Sequence, residues 1–419
     1  MNTLISPTWV TTDTAVSFKN NITLVRKFDR QWNSEWTNRP GGAKIGYTVQ
    51  VRLPQRFQVT EGQALVQQAV FNQTVPITLN HQFQVGMGWS SADSAMLVEE
   101  VQSRYTKRAG KVLANKADVI AGAEVYKTVY FQAGPLSAQP VTNINVDGVI
   151  TDAVAKLRNV GVPEDLYGCV DPKTQSLLLK VAFNQFNPTG FVSKLWTKGQ
   201  FAGAALGVDE WYWDPNMPTH TTGTFTTSTW LVDGALQSGS TLVIKGGGTY
   251  SFQAGDQFSI LGVDSVNPDS YIDTGDLQTI VITNAINGSG GAILTISPAL
   301  IPLTNADGST NALATVASLP ANNASITFVG STGAVAATMA TQTFRQNLIF
   351  HPEAFAFVMA ELPVPLAGAN SARKSDADAK LSMRWVEQYN IQTDQEPSKV
   401  ECLIGVASIL PYFALRVWA

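Results

Sequence analysis

Stretches of strand period and helical period succeed one another along the chain, and the changes of period divide it. Between 44 and 87, Tyr47, Val49, Val51 and Leu53 alternate with polar residues, Pro54 ends the run, and Val75, Ile77, Leu79, His81, Phe83 and Val85 alternate again. Period-two alternation predicts strands, and Glu61 with Gly62 predicts a turn between them. The simplest picture is a long two-stranded excursion with a polar tip. A ribbon of that kind is marginal alone in water, so it is expected to rest on another part of an assembly. Residues 1–43 scatter large apolar side chains (Trp9, Phe18, Phe28, Trp32, Trp36) without a regular period and stop at Pro40, Gly41 and Gly42. They read as an arm with no core of its own.

Residues 91–127 predict a long helix. Leu97, Val101, Tyr105, Ala109 and Val112 mark one face. Asp93, Glu99 and Glu100 precede Arg104, Lys107, Arg108, Lys111 and Lys116, a polarity that suits the helix dipole. The basic residues are open to two readings, a solvated face or a surface that meets DNA. Over 145–220 the pattern is mixed: helices around 151–160 and 172–182, a short strand at 166–170, then the aromatic run Trp211, Tyr212, Trp213. Asp171 followed by Pro172 is a strong helix start. The aromatic run reads better as a strand anchored in a core or subunit contact than as a stacking platform.

At about Thr221 the composition changes. From 221 to 342 there are seven aspartates and one lysine, with no arginine or glutamate, a net of −6 in a chain whose total is −4. Short alternating runs at 241–244, 258–261, 279–283, 292–297 and 325–329, rich in Thr, Ser, Gly, Val and Ile, predict a separate all-β module, a small barrel. The mixed pattern then returns: a helix led by His351 and Pro352, a strand over 381–391 and another over 400–406. The β-module therefore reads as an insertion into a host domain that runs to about 220 and resumes at about 343.

Charge and chemistry narrow the function. Only 14% of the residues are charged against 44% hydrophobic, where a soluble chain carries about 25% charged. Surface poor in charge is free to bury against other subunits. No stretch approaches the ~18 apolar residues of a membrane span. The start of the sequence lacks the basic and apolar runs of a secretory signal, so a soluble, cytoplasmically made protein is expected. The two cysteines, Cys169 and Cys402, and three histidines, His81, His220 and His351, form no metal-binding or catalytic spacing. Asp264, Asp269, Asp273 and Asp276 do not follow a calcium-loop spacing. A carbohydrate-active enzyme is a poor rival, because the module offers no glutamate and no paired acid and base. No enzyme, metal or cofactor is expected.

Two stretches carry a resemblance. FQAGDQFSILGVDSVNPDS, residues 252–270, with DLQTIVIT and GGAILTISPALI after it, resembles the signature of the inserted barrel in phage coat proteins of the P-twenty-two-like family. QNLIFHPEAFAFVMAELPVP, residues 346–365, followed by the strand at 381–391 and residues 411–417, resembles that family's C-terminal block. One departure is Pro397, Ser398 and Lys399, where related chains often carry an arginine.

The resemblance implies an α+β, HK-ninety-seven-like tailed-phage capsid fold with an inserted all-β barrel. Residues 1–43 would be the N-terminal arm, 44–90 the extended loop, 91–144 the peripheral domain with its spine helix, 145–220 and 343–380 the axial domain, 221–342 the insertion, and 381–419 the returning strands. It implies a major capsid protein of the virion, self-assembled into hexamers and pentamers around double-stranded DNA held without sequence specificity. Scaffolding protein, a portal at one vertex and decoration proteins are the implied partners, with no membrane, and assembly is implied in the host bacterial cytoplasm. A tail-tube or decoration protein is the alternative. Candidate intersubunit contacts are Arg26, Arg30, Glu61, Gln63, Arg104, Arg108, Asp273 and Asp276.

Overall fold

The helices are where a 3.6-residue stripe can be buried. In the computed structural model, α1 is Pro7–Asn21, α2 Lys107–Val125, α3 Val146–Asn159 and α4 Pro172–Gln185. The structure describes residues 7–33, 36, 46–63, 65, 67–68, 72–90, 105–134, 146–185 and 204–419, except 306, 333–336, 366–369, 377–378 and 394. Residue contacts divide the chain into two units: Met1–Arg52, Thr74–Gly122 and Phe355–Ile409 in the first, and Leu53–Gln73, Ala123–Ala354 and Leu410–Ala419 in the second.

The first unit corrects the expectation of an arm without a core. α1 buries Val10, Thr11, Thr14, Ser17 and Phe18, a helical stripe whose hydroxyls hide it from a reading of apolar period. The Thr14 hydroxyl donates to the Val10 carbonyl at 2.8 Å, and the Ser17 hydroxyl to the Lys107 carbonyl at 2.7 Å, so neither is buried unpaired. Past the helix, Phe28 packs on Phe355 with ring centroids 4.9 Å apart, and Asp29 bridges to Ala356. α2 buries Ala109, Leu113, Ala114, Ala117, Ala121 and Val125. Tyr105 and Val112, expected on its buried face, are exposed. Asp93, Glu99, Glu100 and Arg104 lie outside the described residues.

The excursion is shorter than its alternation suggests. Thr48–Arg52 pairs antiparallel with Thr74–Thr78, but the second run breaks at Leu79 and Asn80. His81–Ser90 then pairs with Gln395–Ser408 instead, and the odd-numbered residues stay on the inward side across the break. Gln395–Ser408 also pairs with Phe355–Ala360 and Leu381–Glu387, and the latter with Asn370–Asp376. Tyr389 and Ile391 lie beyond that strand and are exposed. Gly405 permits close approach here, since a Cβ would stand 2.4 Å from the Thr78 carbonyl.

In the second unit, Tyr167–Val170 pairs parallel with Glu210–Trp213 and antiparallel with Thr343–Phe350, which carries Ala414–Trp418 and, beyond it, Phe131–Ala133. α3 covers this sheet with Val149, Ile150, Ala153, Val154 and Leu157, packed in one cluster with Ile349, Leu415 and Val417. Asp171 caps α4 by accepting the Lys173 and Thr174 backbone N–H groups at 3.1 and 3.2 Å. Trp211 is tethered by its indole N–H to the Ala205 carbonyl at 3.1 Å and lies where only a glycine, Gly168, leaves room for its ring.

The helix expected from His351 is absent. Thr343–Phe350 is a strand, Pro352–Ala354 a single 3-10 turn, and Phe355–Ala360 a strand again. Every residue from Phe355 to Ala360 is buried. A run buried on both faces has no period to read.

Between 224 and 339 the described residues form a six-stranded sheet (Ile326–Phe328, Gln257–Val266, Asp273–Ile282, Ala292–Leu300, Gly239–Lys245, Leu231–Val232) and a four-stranded one (Ile286–Ser289, Thr249–Phe252, Thr224–Ser228, Ala337–Met339). One core lies between them, with Phe252 and Phe328 stacked at 4.8 Å and Trp230, Phe225 and Phe258 around them. The chain enters and leaves side by side. Thr219–Thr221 pairs with the start of Thr343–Phe350, and the Thr222 N–H donates to the Gln342 carbonyl at 2.9 Å while the Gln342 N–H donates to the Thr222 hydroxyl at 3.0 Å.

Candidate assembly surfaces

The segment Leu53–Gln73, counted in the second unit, is a loop closed at its base by the Leu53 N–H on the Gln73 carbonyl at 2.9 Å. Its stem is braced on its own chain. Arg56 donates to the Ala314 carbonyl at 3.3 Å and lies over the Tyr412 ring at 5.2 Å, and Gln58 donates to the Thr310 carbonyl at 2.9 Å. Gln58 and Gln68 clamp across the loop, the Gln58 N–H donating to Gln68 Oε1 at 2.9 Å and Gln68 Nε2 to the Gln58 carbonyl. Beyond this brace the subunit covers little: Phe57 is exposed, Val59 is 96% exposed and Leu65 95%. Glu61 and Gln63 are exposed beside them. Apolar side chains held out on a fixed stem form a surface suited to burial against another molecule.

A second surface with exposed apolar side chains is the hairpin between Gln257–Val266 and Asp273–Ile282. Asn267 organises its turn: Oδ1 accepts the Asp269 and Ser270 N–H groups at 2.9 and 3.1 Å, and Nδ2 donates to the Asn159 carbonyl at 2.7 Å. Asp276 accepts from Asn159 Nδ2 at 3.2 Å, while Asp273 accepts the Gly275 N–H at 2.9 Å and is exposed. Burial, then the charges of Asp273 and Asp276, hold the Asp264 carboxyl above its ordinary value. Leu261 and Ile272 are exposed on the same hairpin. Of the expected contact residues, Asp273 and Asp276 share this hairpin and Glu61 and Gln63 share the loop.

The others are placed differently. Arg26 is exposed in the turn Val25–Lys27. Arg30 is engaged within its own unit: Nη1 donates to the Ala379 carbonyl at 2.7 Å, Nη2 to the Val25 carbonyl at 3.1 Å, and the guanidinium lies 5.6 Å from the Phe357 ring centroid. Burial lowers its pKa to about 10 against the opposing pull of Asp118 and Asp376. Arg108 is exposed on α2, and Arg104 lies outside the described residues.

The joint beneath the module contains residues that no motif singles out. His220 Nε2 and Asp256 Oδ1 are 2.8 Å apart, and Asp256 also accepts the Gly223 and Gln253 N–H groups at 3.2 and 2.7 Å. Arg416, wholly buried, donates to the Gly255 carbonyl at 3.0 Å, and burial pulls its pKa down to about 9 despite Tyr126 and Asp256. The Trp418 indole donates to Gln257 Oε1 at 2.9 Å, and Gln257 Nε2 to the Tyr130 carbonyl at 2.9 Å. Asp256 lies within the quoted AGD stretch, which was the one available signal. His220 and Arg416 have none. Among the described residues no group of three or more His, Cys, Asp or Glu is placed to share a metal ion, and no helix is long and apolar enough to cross a membrane.

The model of the family described as "P22 coat protein - gene protein 5" matches residues 70–414. The chain belongs to the P22 coat protein family. It is a phage major capsid protein, a component of the virion that assembles with its own copies into a shell. The match favours this reading over a tail-tube or decoration protein. No curated protein sequence matches this coat protein. Solved structures similar to it include one titled Mycobacterium phage Che8, at 11% identity over 94% of this chain and 90% of that one, with a TM-score of 0.44. The capsid of Ralstonia phage GP4 is similar at 7% identity over 95% and 92%, with a TM-score of 0.44. The CUS-3 coat protein I-domain is 28% identical over 26% of this chain and 94% of its own length, with a TM-score of 0.18.

Proposed function

We propose that this coat protein has the HK-ninety-seven-like capsid fold and builds hexamers and pentamers of an icosahedral shell around double-stranded DNA, without sequence-specific binding and without catalysis. The loop at 53–73 supports this most directly, because a braced stem presenting Val59 and Leu65 almost fully to solvent is a contact waiting for a neighbour. In this reading 1–43 is the N-terminal arm, 44–90 contains the extended loop, 91–144 carries the spine helix, 145–220 and 343–380 form the axial domain, 221–342 is the inserted module, and 381–419 returns to the host domains. Glu61 and Gln63 at the loop, with Asp273 and Asp276 at the hairpin, are the proposed intersubunit contacts. Each contact can be weak, since many per subunit act together. Scaffolding protein, a portal at one vertex and decoration proteins complete the set of partners, and assembly takes place in the host cytoplasm.

Electron microscopy of the overexpressed chain, with and without the neighbouring phage genes, tests this reading. Closed shells with scaffold and irregular shells, tubes or spirals without it are expected. Soluble monomers under every condition would sink it.

A further inference from the structure

α2 carries four cations without partners among the described residues. Lys107, Arg108, Lys111 and Lys116 are all exposed, and among the described residues none of their side chains has a hydrogen bond or ion pair. Asp118 on the same helix is buried and accepts the Thr23 and Val25 N–H groups at 2.9 and 3.0 Å. Against Asp118 and Glu124 these four give α2 a net charge of +2 in a chain whose total is −4.

Three of the four line a cleft of about 520 Å³ between α1 and α2. Lys107, Arg108 and Lys111 form one wall, Asn20 and Val16 the other, and Asp13, engaged by the Thr106 hydroxyl, sits among them. Lys107 and Lys111 stand one helical turn apart, about 6 Å along the axis. We propose that this cleft and the adjoining face of α2 hold the phosphate backbone of the enclosed DNA. The inference rests on the reading of the chain as a shell around DNA and assigns the surface that meets it.

The lining distinguishes this occupant from an acidic protein helix. A docked amphipathic helix needs an apolar groove to receive its apolar face. Among the lining residues only Val16 is apolar; the rest are cations, amides, a hydroxyl and one carboxylate. Cations interleaved with neutral donors suit phosphate oxygens and read no base. Three phosphate contacts per subunit give weak, salt-sensitive binding, with log K falling by about 0.9 per contact for each unit of log salt. Repetition over a shell makes such contacts effective, while each remains loose enough to release DNA.

The test uses the full chain as purified subunits and a short mixed-sequence duplex followed by fluorescence anisotropy across a salt series. Wild type is expected to bind at about 10⁻⁴–10⁻⁶ M. The triple variant Lys107→Gln/Arg108→Gln/Lys111→Gln is expected to bind about tenfold or more weakly and to lose about 2–3 from the log–log salt slope. A control triple at exposed lysines elsewhere, Lys127→Gln/Lys173→Gln/Lys180→Gln, should behave as wild type. Lys107→Arg/Lys111→Arg should retain binding, and unchanged far-ultraviolet circular dichroism guards against misfolding. Equal losses in both triples, or none in the cleft triple, would overturn the assignment. So would a cleft triple that binds DNA normally but no longer co-assembles with an acidic partner protein, which would make the cleft a protein dock. Shells that form while no subunit binds duplex overturn this inference alone, whereas absence of shells removes the reading beneath it.

Discussion

His220 and Asp256 meet at 2.8 Å where the chain passes into the β-module, and both side chains are almost wholly buried. Asp256 is the acceptor that closes this entry, because it also takes the Gly223 and Gln253 N–H groups. Without its carboxylate those donors are buried and unpaired. Asp256→Ala is therefore expected to destabilise the second unit by about 3 kcal/mol or more. Urea unfolding followed by tryptophan fluorescence measures it, and a change below about 1 kcal/mol would show that water or backbone shifts satisfy the donors.

Glu401 gives the first unit a pH dependence. Its side chain is fully buried between Arg384 and Lys399, with Lys399 at 3.1 Å, Arg384 Nε at 2.8 Å and Gln82 at 2.9 Å. Burial pushes the carboxyl up, but the hydrogen bonds from Arg384, Lys399 and Gln82 outweigh it and hold the pKa below the ordinary value of 4.5. A depressed carboxylate stabilises fully above its unfolded pKa, and the stabilisation is lost as pH falls through the folded pKa. The urea midpoint should therefore stay flat near neutral pH and fall below about 4.5. Glu401→Gln should start less stable and lose less on acidification. Parallel acid limbs for the two proteins would remove Glu401 from the account.

Asp118 ties the segment after α1 to α2 through two charge-assisted bonds from backbone N–H groups. Asp118→Ala leaves those groups unpaired, at a cost of about 1–3 kcal/mol. The measurable consequence is local: trypsin should cut at Arg26 or Lys27 faster than in wild type, while cleavage within 221–342 stays unchanged. A uniform rise at all sites would mean that the segment is not opening on its own.

The sequence showed some of this architecture plainly and concealed other parts for physical reasons. α3 is legible because its stripe is Val, Ile, Ala and Leu, and α4 because Asp171 and Pro172 mark its start. The strands Gly239–Lys245 and Ala292–Leu300 are legible because buried residues alternate with less buried ones along them. α1 is hidden because Thr11, Thr14 and Ser17 are three of the five residues on its buried face, the hydroxyls of Thr14 and Ser17 satisfied by backbone carbonyls. The strand Phe355–Ala360 is misread because helix-forming Ala and Met stand in a run buried on both faces. Of the surfaces, the loop follows from the turn signal at Glu61 and Gly62, whereas the hairpin carries no turn reading of its own and lies at the end of the stretch 252–270. The joint at His220, Asp256 and Arg416 is not legible, because residues 160 positions apart in sequence are joined only by the fold.

The loop tip separates assembly from folding. Val59 and Leu65 are almost fully exposed, so they contribute little to the subunit that carries them. Val59→Ser/Leu65→Ser should leave the urea midpoint of the subunit within about 0.5 kcal/mol of wild type, as surface changes do. In a shell, each copy repeats the loss. If a neighbouring copy buries both side chains, removing about 1.5–3 kcal/mol of apolar burial from each raises the concentration needed for assembly by more than a hundredfold. Sedimentation and light scattering of subunits mixed with scaffold read that threshold directly. A double variant that assembles at the wild-type concentration would show that the loop tip faces solvent in the shell, and the contact would have to be sought on the hairpin around Leu261 and Ile272 instead.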